Sequence, residues 1–157
     1  METQDSRKKV RLALEAACAR REYCSGDILG KALQKLDGDR AGAEEIVESL
    51  KRDGFVDDSR YAGAYAREKS TINGWGPVKI RRFLLAKGID AQTVSEALET
   101  VDSGKADARL LKLLESKRKS LKDDPAAKLK LLRYALTRGY SYESVAKALD
   151  TLTRESA

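Results

Sequence analysis

The stretch KIRRFLLAKGIDAQTVSEAL at residues 79–98 decides the fold, because residues 130–149 repeat it as KLLRYALTRGYSYESVAKAL. The two copies align without a gap at an offset of 51 residues. Apolar side chains recur at the same places in both copies, and Gly88 matches Gly139. Self-similarity at a fixed spacing is typical of repeat proteins. The chain is therefore predicted to be built from one helical unit used more than once.

A third copy precedes these two, in the segment SGDILGKALQKL that begins at Ser25. We predict that Ser25 is the N-cap of its helix, because serine is among the favoured capping residues. We predict that this helix buries four apolar residues, each of which lies 51 positions before Ile80, Phe83, Leu84 or Lys87: they are Leu29, Ala32, Leu33 and Leu36. We expect Ile80, Phe83 and Leu84 to turn inward.

The periodicity along the whole chain predicts nine helices and no strand. The expected fold class is all-α, with three tandem three-helix repeats forming an extended, curved array. The predicted repeats are residues 1–54, 55–101 and 102–157. Hydrophobic residues make up 41% of the chain and charged residues 36%, which is a balance typical of thin helical repeats that contact mainly their neighbours.

Two pairs of adjacent carboxylates, Asp57–Asp58 and Asp123–Asp124, invite a catalytic interpretation. General acid–base or metal chemistry would require them to converge with other polar groups. Each pair instead stands at a predicted helix start, where capping accounts for it. Histidine is absent, and the spacing of Cys18 and Cys24 matches no metal motif. We therefore expect no catalytic residue, no metal and no cofactor.

The net charge is +6 and the pI is about 9.3, which favours an anionic partner such as nucleic acid, a nucleoprotein or an acidic protein surface. A basic protein without such a partner is also consistent with this balance. The first residues contain no apolar h-region, and no run approaches the length of a membrane helix. We expect a cytoplasmic chain, with its two cysteines reduced, that does not contact a membrane.

The candidate contact residues are basic or aromatic and lie in or beside the repeated helix: Arg67, Lys69, Trp75, Lys79, Arg81, Arg82, Lys130 and Arg133. Lys79 and Arg82 share a helix face. Contact with phosphates or an acidic surface and ordinary solvated helix charge explain these cations equally well. Trp75, in a glycine-flanked turn, is the best aromatic candidate for a contact, because aromatic rings stack on bases in single-strand binders.

Two strings in the middle of the chain carry a family resemblance. GFVDDSRYAGAYAR at 54–67, followed by GPVKIRRFLLAKGID at 76–90, resembles the RecX family of recombination regulators. RREYCSGDILGKAL at 20–33 is similar to that family's first repeat, and RYALTRGYSYESVAKAL at 133–149 is similar to its third. The resemblance extends over nearly the whole chain.

The resemblance implies three tandem three-helix units and binding to the RecA recombinase polymerised on single-stranded DNA. It implies inhibition of recombinase ATPase, strand exchange and co-protease activity, and hence a role in DNA repair and the SOS response. The chain would act as a non-enzymatic regulator, and we expect a monomer that also contacts single- or double-stranded DNA. The alternative is a sequence-nonspecific DNA-binding helical repeat protein without a recombinase partner, which a basic helical face supports equally well.

Overall fold

The computed structural model describes residues 2–101 and 103–156, with side chains described for 4–101 and 103–155. Within these ranges the chain forms nine α-helices and no strand, which confirms the predicted all-α fold. The helices are α1 (Glu2–Arg20), α2 (Ser25–Lys35), α3 (Arg40–Arg52), α4 (Asp58–Thr71), α5 (Pro77–Ala86), α6 (Ala91–Glu99), α7 (Ser103–Lys119), α8 (Ala127–Thr137) and α9 (Tyr142–Ser156).

The chain divides into two compact units. The first contains the chain up to Ala64 together with Leu84–Val94, and within it α1, α2 and α3 contact one another. The second contains Tyr65–Phe83 and the chain from Ser95 onward, and within it α7, α8 and α9 contact one another. Helices α4, α5 and α6 contribute residues to both units. The repeat boundaries 1–54, 55–101 and 102–157 stay a prediction.

The buried face of α2 is rotated by one residue from its predicted position. Ile28 and Ala32 are fully buried, whereas Leu29, Leu33 and Leu36 are only partly buried and pack against the edge of that core. The buried pair of α5 is Ile80 and Leu84, so the first repeat aligns with the second at an offset of 52 rather than 51. One residue turns a helix by about 100°, which is enough to exchange core and edge positions.

Phe83 does not turn inward as predicted, and 41% of its surface is exposed. The inward face of α5 is set by Ile80 and Leu84, which are 1% and 0% exposed. At about 100° per residue, Phe83 lies roughly 80° from the centre of that stripe. The prediction was wrong because the apolar residues of α5 extend beyond the width of its buried stripe.

The two adjacent aspartates at the start of α4 cap two different helices. Asp57 accepts a hydrogen bond from the backbone N–H of Arg60 at 3.0 Å and so caps α4. Asp58 accepts from the backbone N–H and the hydroxyl of Ser25, at 2.7 and 2.6 Å. Ser25 is therefore the first residue of α2 and not its N-cap, which is Cys24. Both carboxylates satisfy N–H groups that a helix start leaves without partners.

The first turn of α5 is fixed by the turn between α8 and α9. The N–H of Gly76 donates to the carbonyl of Arg138 at 2.8 Å, and the N–H of Val78 donates to that of Gly139 at 2.9 Å. Pro77 is the first residue of α5, where its missing N–H costs nothing. Gly139 has φ 95°, and a Cβ at this position would overlap Lys79. This contact between backbones positions the basic face of α5.

Candidate functional site

The segment Tyr65–Phe83 carries five basic residues and one acidic residue, Glu68. Among the residues that the structure describes, none of these five cations forms a salt bridge. Several cations of the first unit are instead paired, including Arg7 with Asp39. This segment therefore carries positive charge that no salt bridge compensates, and that charge is available to an anionic partner.

Two lysines of this segment lie against the indole ring of Trp75. The Nζ of Lys79 is 4.2 Å from the ring centroid, and that of Lys69 is 5.0 Å from it. The ring of Phe83 is 5.1 Å away and tilted, and that of Tyr65 is 6.4 Å away, edge to face. We call these five residues the Trp75 cluster. The ring electrons attract both ammonium groups without neutralising them.

Three arginines adjoin the Trp75 cluster, and their environments differ. Arg82 is exposed, with its guanidinium 5.7 Å from the Phe83 ring centroid. Arg67 is exposed on α4. Arg81 is partly buried and donates a hydrogen bond to the Ser95 hydroxyl at 3.2 Å. Arg82 is therefore the arginine beside the cluster best placed to contact a ligand, while part of Arg81 is engaged within the protein.

The equivalent cations of the third repeat are partly neutralised. Lys130, at the position of Lys79, forms a salt bridge with Asp124 at 2.6 Å. This bond, together with the N–H of Ala126, holds the pKa of Asp124 below its ordinary value. Arg133 is exposed, like its counterpart Arg82. Helices α5 and α8 thus look alike in sequence but differ in the structure, where the positive charge of α5 is the less compensated by carboxylates.

An aromatic–cation pairing that the sequence analysis missed is present on α8. Tyr134 corresponds to Phe83 in the repeat. The Nζ of Lys117 and the guanidinium of Arg138 lie 5.0 and 5.4 Å from the Tyr134 ring centroid. The sequence signal for this pairing is an aromatic residue directly after an arginine in both copies of the repeat: Phe83 follows Arg82, and Tyr134 follows Arg133.

The cysteines are not activated nucleophiles. Cys24 is fully buried, and the resulting desolvation raises the pKa of its thiol to about 11. Burial likewise raises the pKa of Cys18. Over residues 2–101 and 103–156 the structure brings together no group of three or more histidine, cysteine, aspartate or glutamate side chains suited to a metal ion. In the same ranges, every helix is too short or too polar to cross a membrane.

Two family models match this chain. They describe the second three-helix domain of RecX, at residues 57–98, and the third three-helix domain of RecX, at residues 106–149. The regulatory proteins RecX of Bacillus mycoides and Bacillus cereus are each 33% identical to it over 125 residues, covering 78% of this chain and 46% of the relative. The chain thus spans about half the length of the curated relatives it matches.

Solved structures show the same fold. A crystal structure of RecX from Lactobacillus salivarius has a TM-score of 0.85 and 24% identity, covering 96% of this chain and 98% of that one. A crystal structure of regulatory protein RecX has the same TM-score and 23% identity, covering 95% of this chain and 74% of the other. The nine helices form an all-α repeat array, as predicted from the 51-residue repeat. The chain belongs to the RecX family of regulatory proteins.

Proposed function

We propose that the chain binds the RecA recombinase assembled on single-stranded DNA and inhibits its ATPase, strand-exchange and co-protease activities. The name of the family supports a regulatory role. The observation that carries the proposal is the uncompensated basic charge between Tyr65 and Phe83. A filament of recombinase and DNA offers phosphates and acidic protein surface, the two partners that such a surface favours.

The proposed contacts are the Trp75 cluster with Arg67, Arg81 and Arg82, and secondarily Lys130 and Arg133 on α8. A chain bound to the filament through these cations would exclude competing duplex DNA and repressor protein. Blocking the groove, capping an end and promoting disassembly are three routes to inhibition, and each uses the same electrostatic contact. The proposal has the chain act as a monomer in the cytoplasm, during recombination and the SOS response to DNA damage.

The alternative is a DNA-binding helical repeat that needs no recombinase. The described cations of Tyr65–Phe83 form no salt bridge, and this favours the alternative as strongly as it favours the recombinase proposal, because DNA phosphates alone would satisfy these cations. Binding to single-stranded DNA with and without RecA and ATP separates the two. The proposal requires affinity to rise strongly when the recombinase is present, whereas the alternative requires it to stay the same or to fall through competition.

The decisive experiment measures DNA-dependent ATP hydrolysis by RecA with and without this chain. Inhibition that saturates as the chain is added supports the proposal, and an unchanged rate at saturating concentration refutes it. The same titration should be run at two salt concentrations. Phosphate contacts release counterions, so binding should weaken from about 50 to about 200 mM salt. Inhibition that does not change with salt would exclude this electrostatic surface as the contact.

A further inference from the structure

Phe83 is an aromatic ring open to water in the middle of a cationic surface. Its neighbour in sequence, Leu84, is fully buried, whereas Phe83 is 41% exposed. A single exposed apolar side chain is ordinary on a protein surface. Phe83 differs because the Trp75 ring backs it at 5.1 Å and the Arg82 guanidinium lies 5.7 Å from its centroid. Its exposure is thus combined with an aromatic neighbour and a cationic one.

The two chemical features of this surface match the two halves of a nucleotide. An exposed ring offers a face for a base, and base–aromatic stacking does not depend on which base is present. Lys79 and Arg82, which form no salt bridge with any residue that the structure describes, offer partners for the phosphates on either side. A partner that offered only carboxylates would use the cations and leave the Phe83 ring without a matching group. A nucleic acid duplex would use the cations too, but its bases are already stacked.

We infer that Phe83, supported by Trp75, stacks on an unpaired base of single-stranded DNA while Lys79 and Arg82 contact the adjacent phosphates. This inference deepens the proposed function and rests on it only for the identity of the strand, which would be the single-stranded DNA that the recombinase occupies. Trp75 is partly buried and has two lysine ammonium groups over its ring, whereas Phe83 is the more exposed of the two rings, so Trp75 buttresses Phe83 rather than receiving the base itself. This reverses the roles that the sequence assigned to these two rings.

The equivalent position of the third repeat carries the same chemistry. Tyr134 replaces Phe83, and its ring also lies beside two cations, Lys117 and Arg138. Both repeats therefore carry an aromatic side chain with cations beside its ring. The recurrence supports a contact that the repeat provides more than once.

The test compares two labelled oligonucleotides of equal charge by fluorescence anisotropy, using the full chain without recombinase. One is oligothymidine of about 20 nucleotides, longer than the sites that single-strand binders typically occupy. The other has the same phosphates but lacks bases. We expect the unmodified chain to bind oligothymidine about 5- to 150-fold more tightly than the abasic strand, the range that stacking of one base provides.

Three substitutions distinguish base stacking by the Phe83 ring from a general apolar contact, while the abasic strand controls for charge. Phe83→Leu keeps an apolar side chain without a π-face and should lose most of the preference for oligothymidine, with abasic binding unchanged. Phe83→Tyr keeps the π-face and should retain the preference. Val78→Ala, at an exposed apolar residue of the same helix, is the matched control and should bind like the unmodified chain. Thermal melting confirms that each variant folds, since none of these side chains is buried.

Equal binding of the two oligonucleotides by the unmodified chain, or full retention of the preference by Phe83→Leu, would overturn the inference. Inhibition of RecA ATPase is measured alongside. If Phe83→Leu loses inhibition without any change in binding to free DNA, Phe83 is a protein contact and the base-stacking assignment is wrong while the proposed function stands. If the unmodified chain shows the base preference but no inhibition, the proposed function fails and the stacking site stands.

Discussion

Gly88 and Gly139 occupy the same place in two repeats but should respond differently to substitution by alanine. Both have positive φ, 86° and 95°. A Cβ added at Gly88 meets no atom within 4 Å, other than its immediate neighbours. A Cβ added at Gly139 would overlap the Cβ of Lys79 and lie 2.8 Å from its backbone nitrogen. The pair therefore separates the cost of backbone strain from the cost of a close backbone contact.

The expected magnitudes follow from these two terms. An L-residue in the left-handed conformation costs roughly 1–2 kcal/mol, and both variants carry this cost. Forcing extra volume into a packed contact adds about 1–3 kcal/mol. Gly88→Ala should thus lower the free energy of unfolding by about 1–2 kcal/mol and Gly139→Ala by about 2–5 kcal/mol. The backbone of Lys79 cannot move away without breaking the hydrogen bond from Val78 to Gly139.

Urea unfolding of both variants, followed by far-ultraviolet circular dichroism and by Trp75 fluorescence, measures the difference. Trp75 is the only tryptophan, and it adjoins the Gly76 residue that bonds to this turn, so its emission reports on the contact directly. Equal destabilisation by the two substitutions would refute the argument, because it would mean that the α8–α9 turn does not approach α5 as closely as the structure has it.

Three further predictions concern capping, pH and binding. Asp58→Ala removes the acceptor of two hydrogen bonds from the start of α2 and should cost about 1–2 kcal/mol in urea unfolding, with Asp58→Asn restoring part of the loss. Hydrogen bonds from the backbone N–H and hydroxyl of Thr93 hold the pKa of Asp90 below its ordinary value. Its contribution to stability is therefore present above about pH 4 and is lost as pH falls through the folded pKa. Melting of Asp90→Asn should be less sensitive to pH between about 5 and 2, and an identical pH profile would contradict this. Arg82→Ala should weaken inhibition of RecA ATPase and lower the salt dependence of binding by about one counterion. Lys130→Ala should change both quantities less, because the Lys130 cation is already paired with Asp124. A larger effect of Lys130→Ala than of Arg82→Ala would move the main contact to α8.

The helices and their ends were predictable because they depend on neighbours in sequence. The positive-φ glycines after α5 and α8, the proline at the start of α5 and the caps Asp57 and Asp90 follow from local backbone chemistry, and each is found in the structure. The expected cap at Asp123–Asp124 is wrong, because the N-cap of α8 is Ala126 and no side chain caps that helix. Ser25 was misassigned because its partner, Asp58, is 33 residues away. A local rule has no access to a cap that another helix supplies.

The candidate site was predictable in its basic residues but not in how those residues are used. An all-α repeat, the 51-residue offset between its last two copies and the cationic character of α5 could be read from the sequence, because periodicity and charge are properties of composition and order. Only the tertiary structure decided that Phe83 faces water, that lysines cover Trp75 and that Lys130 is paired with Asp124. These outcomes depend on which stripe of each helix is buried and which side chains then meet, and both are set by packing between helices.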